Sequence, residues 1–191
     1  GKDGKAAKLS KNFWLNVTAK NGDALLKGKN DVTISYDVKP DASGNTGWTF
    51  FAASNAPKQE YGKEHYVGVL DKTTGITVER YNNNDGKRDS SGNVSYTKTN
   101  ADWKHVDIVI SGATAKLYID SKLVAVNNNG QKLADILGAD GGVLQIGKAN
   151  WVNGEYYTGA LDNLNIYGSA HTAEQIKEAY DSTKSDAAKA D

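Results

Sequence analysis

The stretch Leu144–Tyr180, LQIGKANWVNGEYYTGALDNLNIYGSAHTAEQIKEAY, holds the patterns that decide the fold of this chain. Apolar and polar residues alternate in 144–146 and again in 164–166, which is the period of a half-buried β-strand. Further on, Thr172 and Gln175 form the pattern of a capping box. A helical stripe of apolar residues goes with it: Ala173, Ile176, Ala179 and Tyr180. The stretch therefore predicts two strands and then a short C-terminal helix.

The second of these strands carries an irregularity beside Asp162. Leu161 and Leu164 lie three residues apart, so the alternation of inward and outward side chains slips by one residue between them. A β-bulge at this point would return both leucines to the core. The sequence therefore predicts a bulge next to Asp162.

Between the two strands lies a loop, Lys148–Thr158, that combines aromatic rings with amide and carboxylate groups. A ring can stack on the C–H face of a sugar while amides and carboxylates hydrogen-bond to its hydroxyls. The pattern favours carbohydrate binding by residues of this loop, namely Asn150, Trp151, Asn153, Glu155, Tyr156 and Tyr157. For Trp151 the alternative is packing over the end of the sandwich.

The composition indicates one all-β domain. With 191 residues, 20 glycines, two prolines and a mean hydropathy of −0.61, the chain suits short strands joined by long polar loops. Basic and acidic residues number 23 each, which argues against nucleic acid or an anionic membrane as a partner. No stretch approaches the ~20 apolar residues that cross a membrane. Because cysteine is absent, disulfides and thiolate metal sites are excluded.

Other segments supply the remaining strands. Asp31–Pro40 alternates cleanly, and we expect its apolar residues to point inward and Thr33, Ser35 and Asp37 to point outward. Further strands are predicted in Lys5–Val17, Gly47–Ala53, Val94–Thr99, Ala101–Asp120 and Lys122–Val126, and a hairpin joins His65–Leu70 to Gly75–Tyr81. Asn82–Asn93 is predicted to be a long exposed loop, and Asn127–Asp140 an irregular excursion.

Two motifs resemble a known family. One is IGKANW followed by YYTGALDNLNIYGSAHTAEQI, and the other is the W-K-H-V and L-Y-I-D pattern within Ala101–Asp120. Both resemble the laminin-G-like, concanavalin A-like jelly-roll modules of secreted bacterial glycoside hydrolases, notably arabinan-active enzymes. Two positions depart from the family pattern: His171 stands where leucine is usual, and Ser121 where glycine is preferred. Serine disfavours a tight turn with two positive φ angles.

The resemblance implies how the chain is organised. We expect an all-β, concanavalin A-like antiparallel β-sandwich (jelly roll) with a short C-terminal helix over residues 1–180, and a linker or tail over 181–191. The family has a further strand before the equivalent of Gly4, and we expect this first strand to be missing here.

The resemblance also implies a role. We expect a non-catalytic, lectin-like accessory module of a secreted or cell-surface bacterial glycoside hydrolase. It would be a monomer, tethered to a neighbouring catalytic domain, and would bind a plant polysaccharide such as arabinan. One alternative is a ligand-free spacer that packs on the catalytic domain.

The other alternative is an unrecognised jelly-roll glycosidase. Such an enzyme needs a nucleophile and an acid about 5.5 Å apart, and no segment has the E-x-D-x-x-E spacing of catalytic jelly rolls. Glu79 and Glu155 are distant in sequence but could meet in space. The three histidines show no spacing of a metal site or a catalytic triad.

Three candidate ligand-binding residues lie outside the aromatic loop. Trp48 opens a strand, and Arg80 and Tyr81 precede the amide-rich loop Asn82–Asn93. An arginine fork can bridge two hydroxyls or bind a uronate carboxylate. The alternative for Arg80 is a surface salt bridge. Trp14, Trp103 and His105 are predicted to be structural.

For a metal, the resemblance implies a structural Ca²⁺. Its ligands would be Asp162, the backbone carbonyl of Asp162 at the bulge, and oxygens from near the N-terminus. Calcium takes roughly six to eight oxygen ligands. The absent first strand of the family carries some of them, which leaves the occupancy of the site open.

Overall fold

A computed structural model of the chain describes residues 5–42, 47–54, 62–150 and 155–190, the last seven as backbone only. This part of the chain forms two antiparallel sheets of six strands each. In spatial order, the first sheet contains β1 (Ala7–Leu9), β12 (Gly159–Tyr167), β3 (Asp31–Pro40), β8 (Lys104–Ser111), β9 (Thr114–Ile119) and β10 (Lys122–Asn127). The second contains β2 (Leu15–Val17), β11 (Val143–Ile146), β4 (Trp48–Ala53), β5 (His65–Lys72), β6 (Gly75–Asn82) and β7 (Val94–Tyr96).

The core lies between the two sheets, as the alternating patterns predicted. Strand β3 contributes Val32, Ile34, Tyr36 and Val38 to it, and the second sheet contributes Phe50, Val67, Val69, Ile76 and Val78 among others. Fully burying one such side chain contributes about 1.5–3 kcal/mol, so the shared core is the main source of stability. The predicted antiparallel sandwich is confirmed.

The outward side chains of β3 are also buried, which simple alternation did not predict. Helix α2 (Ala173–Ala190) and the segment before it cover this face of the first sheet. The Thr33 hydroxyl donates to the Ser169 carbonyl at 2.8 Å and accepts from the His171 N–H at 2.9 Å. Ser35 and Asp37 lie under the same cover. Strand β3 is therefore enclosed on both faces.

The capping box that starts α2 is confirmed. The Thr172 N–H donates to Gln175 Oε1 at 2.9 Å, and the Gln175 N–H donates to Thr172 Oγ1 at 3.3 Å. Of the predicted apolar stripe, Ile176 and Tyr180 are buried, whereas the two alanines are exposed. The helix continues to Ala190, through residues that the composition predicted to be a linker. No helix within the described residues is long and apolar enough to span a membrane.

Two local features and one short helix complete the fold. The register between β12 and β3 shifts between Asp162 and Asn165, and Asn163 has φ 50°, so the predicted bulge is confirmed. Asp120 and Ser121 form the tight β9–β10 turn with φ 49° and 63°, although Ser121 disfavours that conformation. The excursion predicted to be irregular contains a short helix, α1 (Leu133–Leu137), whose leucines are buried against the core.

His105 lies beneath α2 between two carboxylates. Its Nδ1 is 2.9 Å from Asp37 Oδ1, and its Nε2 is 3.3 Å from Asp107 Oδ2. Burial alone lowers the pKa of the imidazole, but the hydrogen bonds and charges of Asp107 and Asp37 outweigh it and raise the pKa to about 9. The Tyr180 ring lies 5.5 Å away, and its hydroxyl donates to Asp120 at 3.2 Å. His105 is thus structural, and its charge helps to hold the helix on the sheet.

We predict that this ion triad makes stability fall at alkaline pH. The folded pKa of about 9 lies above the ordinary 6.5, so the stabilisation is complete below pH 6.5 and is lost as the pH rises through 9. The loss should be on the order of 3 kcal/mol in the free energy of unfolding. Urea denaturation across this range should show it in the wild type and not in His105→Gln. Equal pH slopes for the two proteins would contradict the assignment.

Candidate functional site

The outer face of the second sheet carries a cluster of aromatic rings: Trp48, Phe51, Tyr66 and Tyr81. The Trp48 indole meets Phe51 and Tyr66 edge-on, with ring centroids 5.1 and 5.5 Å apart. Gly68 makes this arrangement possible, because a Cβ at that position would collide with the Trp48 indole. The indole therefore lies across strand β5 where a side chain would otherwise stand.

Two carboxylates border the aromatic cluster. The Tyr66 hydroxyl donates to Glu79 at 2.5 Å, and the Trp48 Nε1–H donates to Glu155 at 2.6 Å. Burial raises the pKa of Glu79, the Glu155 charge adds to the rise, and the Tyr66 hydrogen bond and Arg88 oppose it. The structure thus brings together the two glutamates that are distant in the sequence.

A charged clamp, formed by Arg88 and Glu64, lies at one end of the aromatic cluster. Arg88 binds Glu64 through Nε at 2.9 Å and Nη2 at 2.7 Å, and its guanidinium lies 5.1 Å from the centre of the Tyr81 ring. The buried Glu64 also accepts from the Asn83 amide at 2.8 Å and from the Gly62 N–H at 2.9 Å. This clamp fixes the amide-rich loop after β6 against the sheet.

An open groove of about 620 Å³ lies beside the cluster, at strands β2 and β11. We call it the amide groove, after its polar lining of Asn16, Thr18, Asp23, Lys27, Asp140, Gln145 and Asn150. Gln145 points outward from β11, and its Nε2 donates to Asn16 Oδ1 at 2.8 Å. Its Oε1 is buried, and no described residue donates to it. With so many amide and carboxylate groups in its lining, the groove is suited to hydrogen-bonding the hydroxyls of a ligand.

Aromatic rings flank a lysine next to this groove. The Lys148 ammonium lies 4.3 Å from the centre of the Trp14 ring and 5.9 Å from that of Tyr156. Trp14 was predicted to be structural and is half-buried, so part of its ring stays accessible. Asn150, two residues after Lys148, lines the groove. The predicted aromatic loop and the amide groove therefore meet.

The structure separates the predicted ligand-binding residues into three groups. Trp151 and Asn153 lie outside the described residues. Tyr156 is half-buried beside Lys148. The other four are each at most 3% exposed: Trp48, Arg80, Tyr81 and Tyr157. Because these four present almost no surface to solvent, we build the candidate site from the accessible groups around them.

Asp162 lies beside the bulge of β12, where the family resemblance implies calcium. Asp162 Oδ1 accepts from the Asn163 N–H at 2.9 Å, and Ala7 of strand β1 pairs with Leu161, which leaves Ala6 next to Asp162. Among the described residues, no three acidic or histidine side chains are grouped so that they could hold a metal ion. These residues alone supply fewer oxygens than the roughly six to eight that calcium takes. Calcium at Asp162 stays a prediction.

Comparison with known proteins gives the family. The sequence profile Laminin_G_3, described as the concanavalin A-like lectin/glucanases superfamily, matches residues 14–177. The chain belongs to this superfamily. No curated protein sequence matches the chain.

Several solved structures share the fold with the chain. Domain 4 of AbnA, a GH43 extracellular arabinanase from Geobacillus stearothermophilus, in complex with arabinotriose, is 21% identical with a TM-score of 0.65, over 93% of this chain and 77% of that one. The Ruminococcus gnavus IT-sialidase CBM40 bound to α2,3-sialyllactose is 11% identical with a TM-score of 0.73, over 93% and 97%. The Streptococcus pneumoniae NanB sialidase (K499G mutant) is 16% identical with a TM-score of 0.68, over 91% of this chain and 27% of the sialidase. The predicted concanavalin A-like fold is confirmed.

The residues missed by sequence reasoning are Asn16, Gln145 and Trp14. Asn16 and Gln145 occupy the outward positions of β2 and β11, and the alternation of those strands could have assigned them to the open face. Nothing in the sequence indicated that the two amides pair, because 129 positions separate them.

We predict that Gly68→Ala destabilises this superfamily member by about 1–3 kcal/mol, because the added methyl must displace the Trp48 indole. Urea denaturation followed by tryptophan fluorescence measures both the stability and the indole environment. Gly168→Ala is the matched control, since its Cβ would approach only the flexible end of Lys29. Equal stability of the two variants would show that the Trp48 packing is misassigned.

Proposed function

We propose that this chain is a carbohydrate-binding, lectin-like module and that the amide groove is its binding site. The observation that carries the proposal is the amide pair of Asn16 and Gln145 in the groove lining. Gln145 is buried and its Nε2 donates to Asn16 Oδ1 at 2.8 Å, so it fixes the orientation of the exposed Asn16 amide. A sugar hydroxyl in the groove can hydrogen-bond to this oriented amide.

The remaining lining supports a neutral sugar. Asp23 and Asp140 bring two carboxylates to the groove and Lys27 one ammonium, so an anionic sugar would meet more negative than positive charge. Trp14 and Tyr156, which both lie near the Lys148 ammonium, offer ring edges and faces for contact with sugar C–H groups. The volume of the groove, about 620 Å³, is large enough for a short oligosaccharide.

The comparisons support the rest of the proposal. One similar structure is a domain of an extracellular arabinanase with arabinotriose, and another is a carbohydrate-binding module with sialyllactose. We infer that this chain is an accessory module of a secreted bacterial glycoside hydrolase. The charge of the groove and the arabinanase likeness make arabinan the first ligand to test.

Affinity gel electrophoresis with soluble arabinan, galactan and xylan tests the proposal. We predict that arabinan retards the wild type and that Gln145→Leu, which keeps the side chain's size but removes its polar atoms, binds at least ~10-fold more weakly, equal to ~1.4 kcal/mol. Asn100→Ala, in a different groove, is the control and should bind like the wild type. Absence of retardation by every polysaccharide would refute binding and favour the spacer alternative.

A second candidate function is glycoside hydrolysis, favoured by the meeting of Glu79 and Glu155 at the aromatic cluster. Their environments differ, since Glu79 is half-buried with a raised pKa and Glu155 is exposed. Such a difference suits an acid and a base. An enzyme would release reducing sugar from one of the polysaccharides and lose that activity in Glu79→Gln. A module that only binds would release none and would bind equally well with this substitution.

A further inference from the structure

Arg80 is a buried cation held only by neutral groups. Its side chain is 1% exposed, its Nε donates to the Gly92 carbonyl at 3.0 Å, and its Nη1 donates to the Ala113 carbonyl at 2.9 Å. The remaining terminal nitrogen, Nη2, is buried, and no described residue accepts a hydrogen bond from it. The Nη2 side of the guanidinium therefore lacks a hydrogen-bond acceptor among the described residues.

The positive charge of Arg80 also has no ion-pair partner among the described residues. A buried charge is costly unless an opposite charge or a full set of hydrogen bonds compensates it. Arg88, the other arginine of the chain, is paired with Glu64, whereas no carboxylate of the described residues forms an ion pair with Arg80. Burial lowers the pKa of Arg80 to about 10, so the group still carries its charge at neutral pH.

The backbone around Arg80 is shaped to hold the guanidinium in place. A Cβ at Gly130 would collide with the guanidinium carbon and both terminal nitrogens, and a Cβ at Gly92 would be too close to the Gly130 Cα. The Gly130 N–H donates at 3.0 Å to the same Ala113 carbonyl that accepts from Nη1. The turns at Gly92 and Gly130 therefore pack closely around the guanidinium and hold it in place.

A small polar cavity lies at this cation. Its volume is about 20 Å³, and it is lined by Arg80 together with Asn82, Asn83, Ser91, Asn129 and Gln131. This volume holds about one particle of the size of a water molecule, which excludes a sugar, a carboxylate or a phosphate. Asp89 also lines the cavity, but it is exposed and its carboxylate accepts from the Ser91 N–H at 2.9 Å.

We propose that Arg80 and the surrounding amides form a binding site for a single small monovalent anion of halide size, which in saline is chloride. The anion accepts from Nη2 and from the amide and hydroxyl donors of the lining, and it supplies the ion-pair partner that Arg80 does not have among the described residues. It thereby joins the amide-rich loop after β6 to the turn at Gly130. The site is independent of carbohydrate binding in the amide groove.

Bromide can replace chloride and be located by its anomalous scattering. Crystals of the wild-type protein grown or soaked in sodium bromide should show an anomalous peak within hydrogen-bond distance of Arg80 Nη2. An ordinary water molecule at that position without anomalous signal would overturn the proposal.

Thermal melting at constant ionic strength gives a second, solution test. Replacing sodium gluconate, whose anion is too large for the cavity, by sodium chloride should raise the melting temperature of the wild type by about 2 °C or more. Arg80→Gln should lose this rise, and the control Lys122→Gln, which removes an exposed cation of β10, should keep it. A rise that persists in Arg80→Gln, or that is absent from the wild type, would contradict the site. If Arg80→Gln does not fold, the wild-type crystals decide the question.

Discussion

The enclosure of strand β3 on both faces is the constraint on which the rest of this structure depends. Its apolar residues fill the core between the sheets, while Thr33, Ser35 and Asp37 point to the other side and are buried there. Buried polar groups must find hydrogen-bond partners. They find them in the segment that leads into α2, in His105, and in Asn163 at the bulge of β12, which donates to Asp37 at 2.8 Å.

Covering the first sheet with α2 leaves the outer face of the second sheet for other uses. Most of that face is filled by its own aromatic rings, because Gly68 leaves room for the Trp48 indole, which meets Phe51 and Tyr66 edge-on. What stays open is its border at β2 and β11, where the outward residues are amides. The polar border of the second sheet is thus the surface that can bind a ligand.

The sequence predicted those features that depend on residues close together in the chain. The alternation of β3, the bulge beside Asp162 and the capping box of Thr172 and Gln175 are of this kind, and all are confirmed. The tight turn at Ser121 was not expected. It forms because Asp120 is held from outside the turn, by the His105 N–H at 3.1 Å and the Tyr180 hydroxyl. Contacts between residues so far apart in the chain cannot be predicted from the local sequence.

In the candidate site too, the sequence predicted the local features and not the long-range contacts. The aromatic loop was predicted, and its Asn150 does line the groove, while Lys148 and Tyr156 lie close to each other in the same loop. The pairing of Asn16 with Gln145 depends on the antiparallel register of β2 and β11, which one sequence without the fold does not give. Arg80 was expected at the surface, whereas the absence of a side chain at Gly130 lets its guanidinium lie inside the protein.

The central claim is that a sugar binds in the amide groove at the Asn16–Gln145 amide pair. The most direct measurement is an NMR titration of the labelled protein with an arabino-oligosaccharide, following the side-chain amide signals of asparagine and glutamine and the tryptophan indole signals. The account predicts saturable shifts of the Gln145, Asn16 and Asn150 amides and of the Trp14 indole. Shifts confined to the distant groove around Trp103, or none at any oligosaccharide concentration, would contradict it.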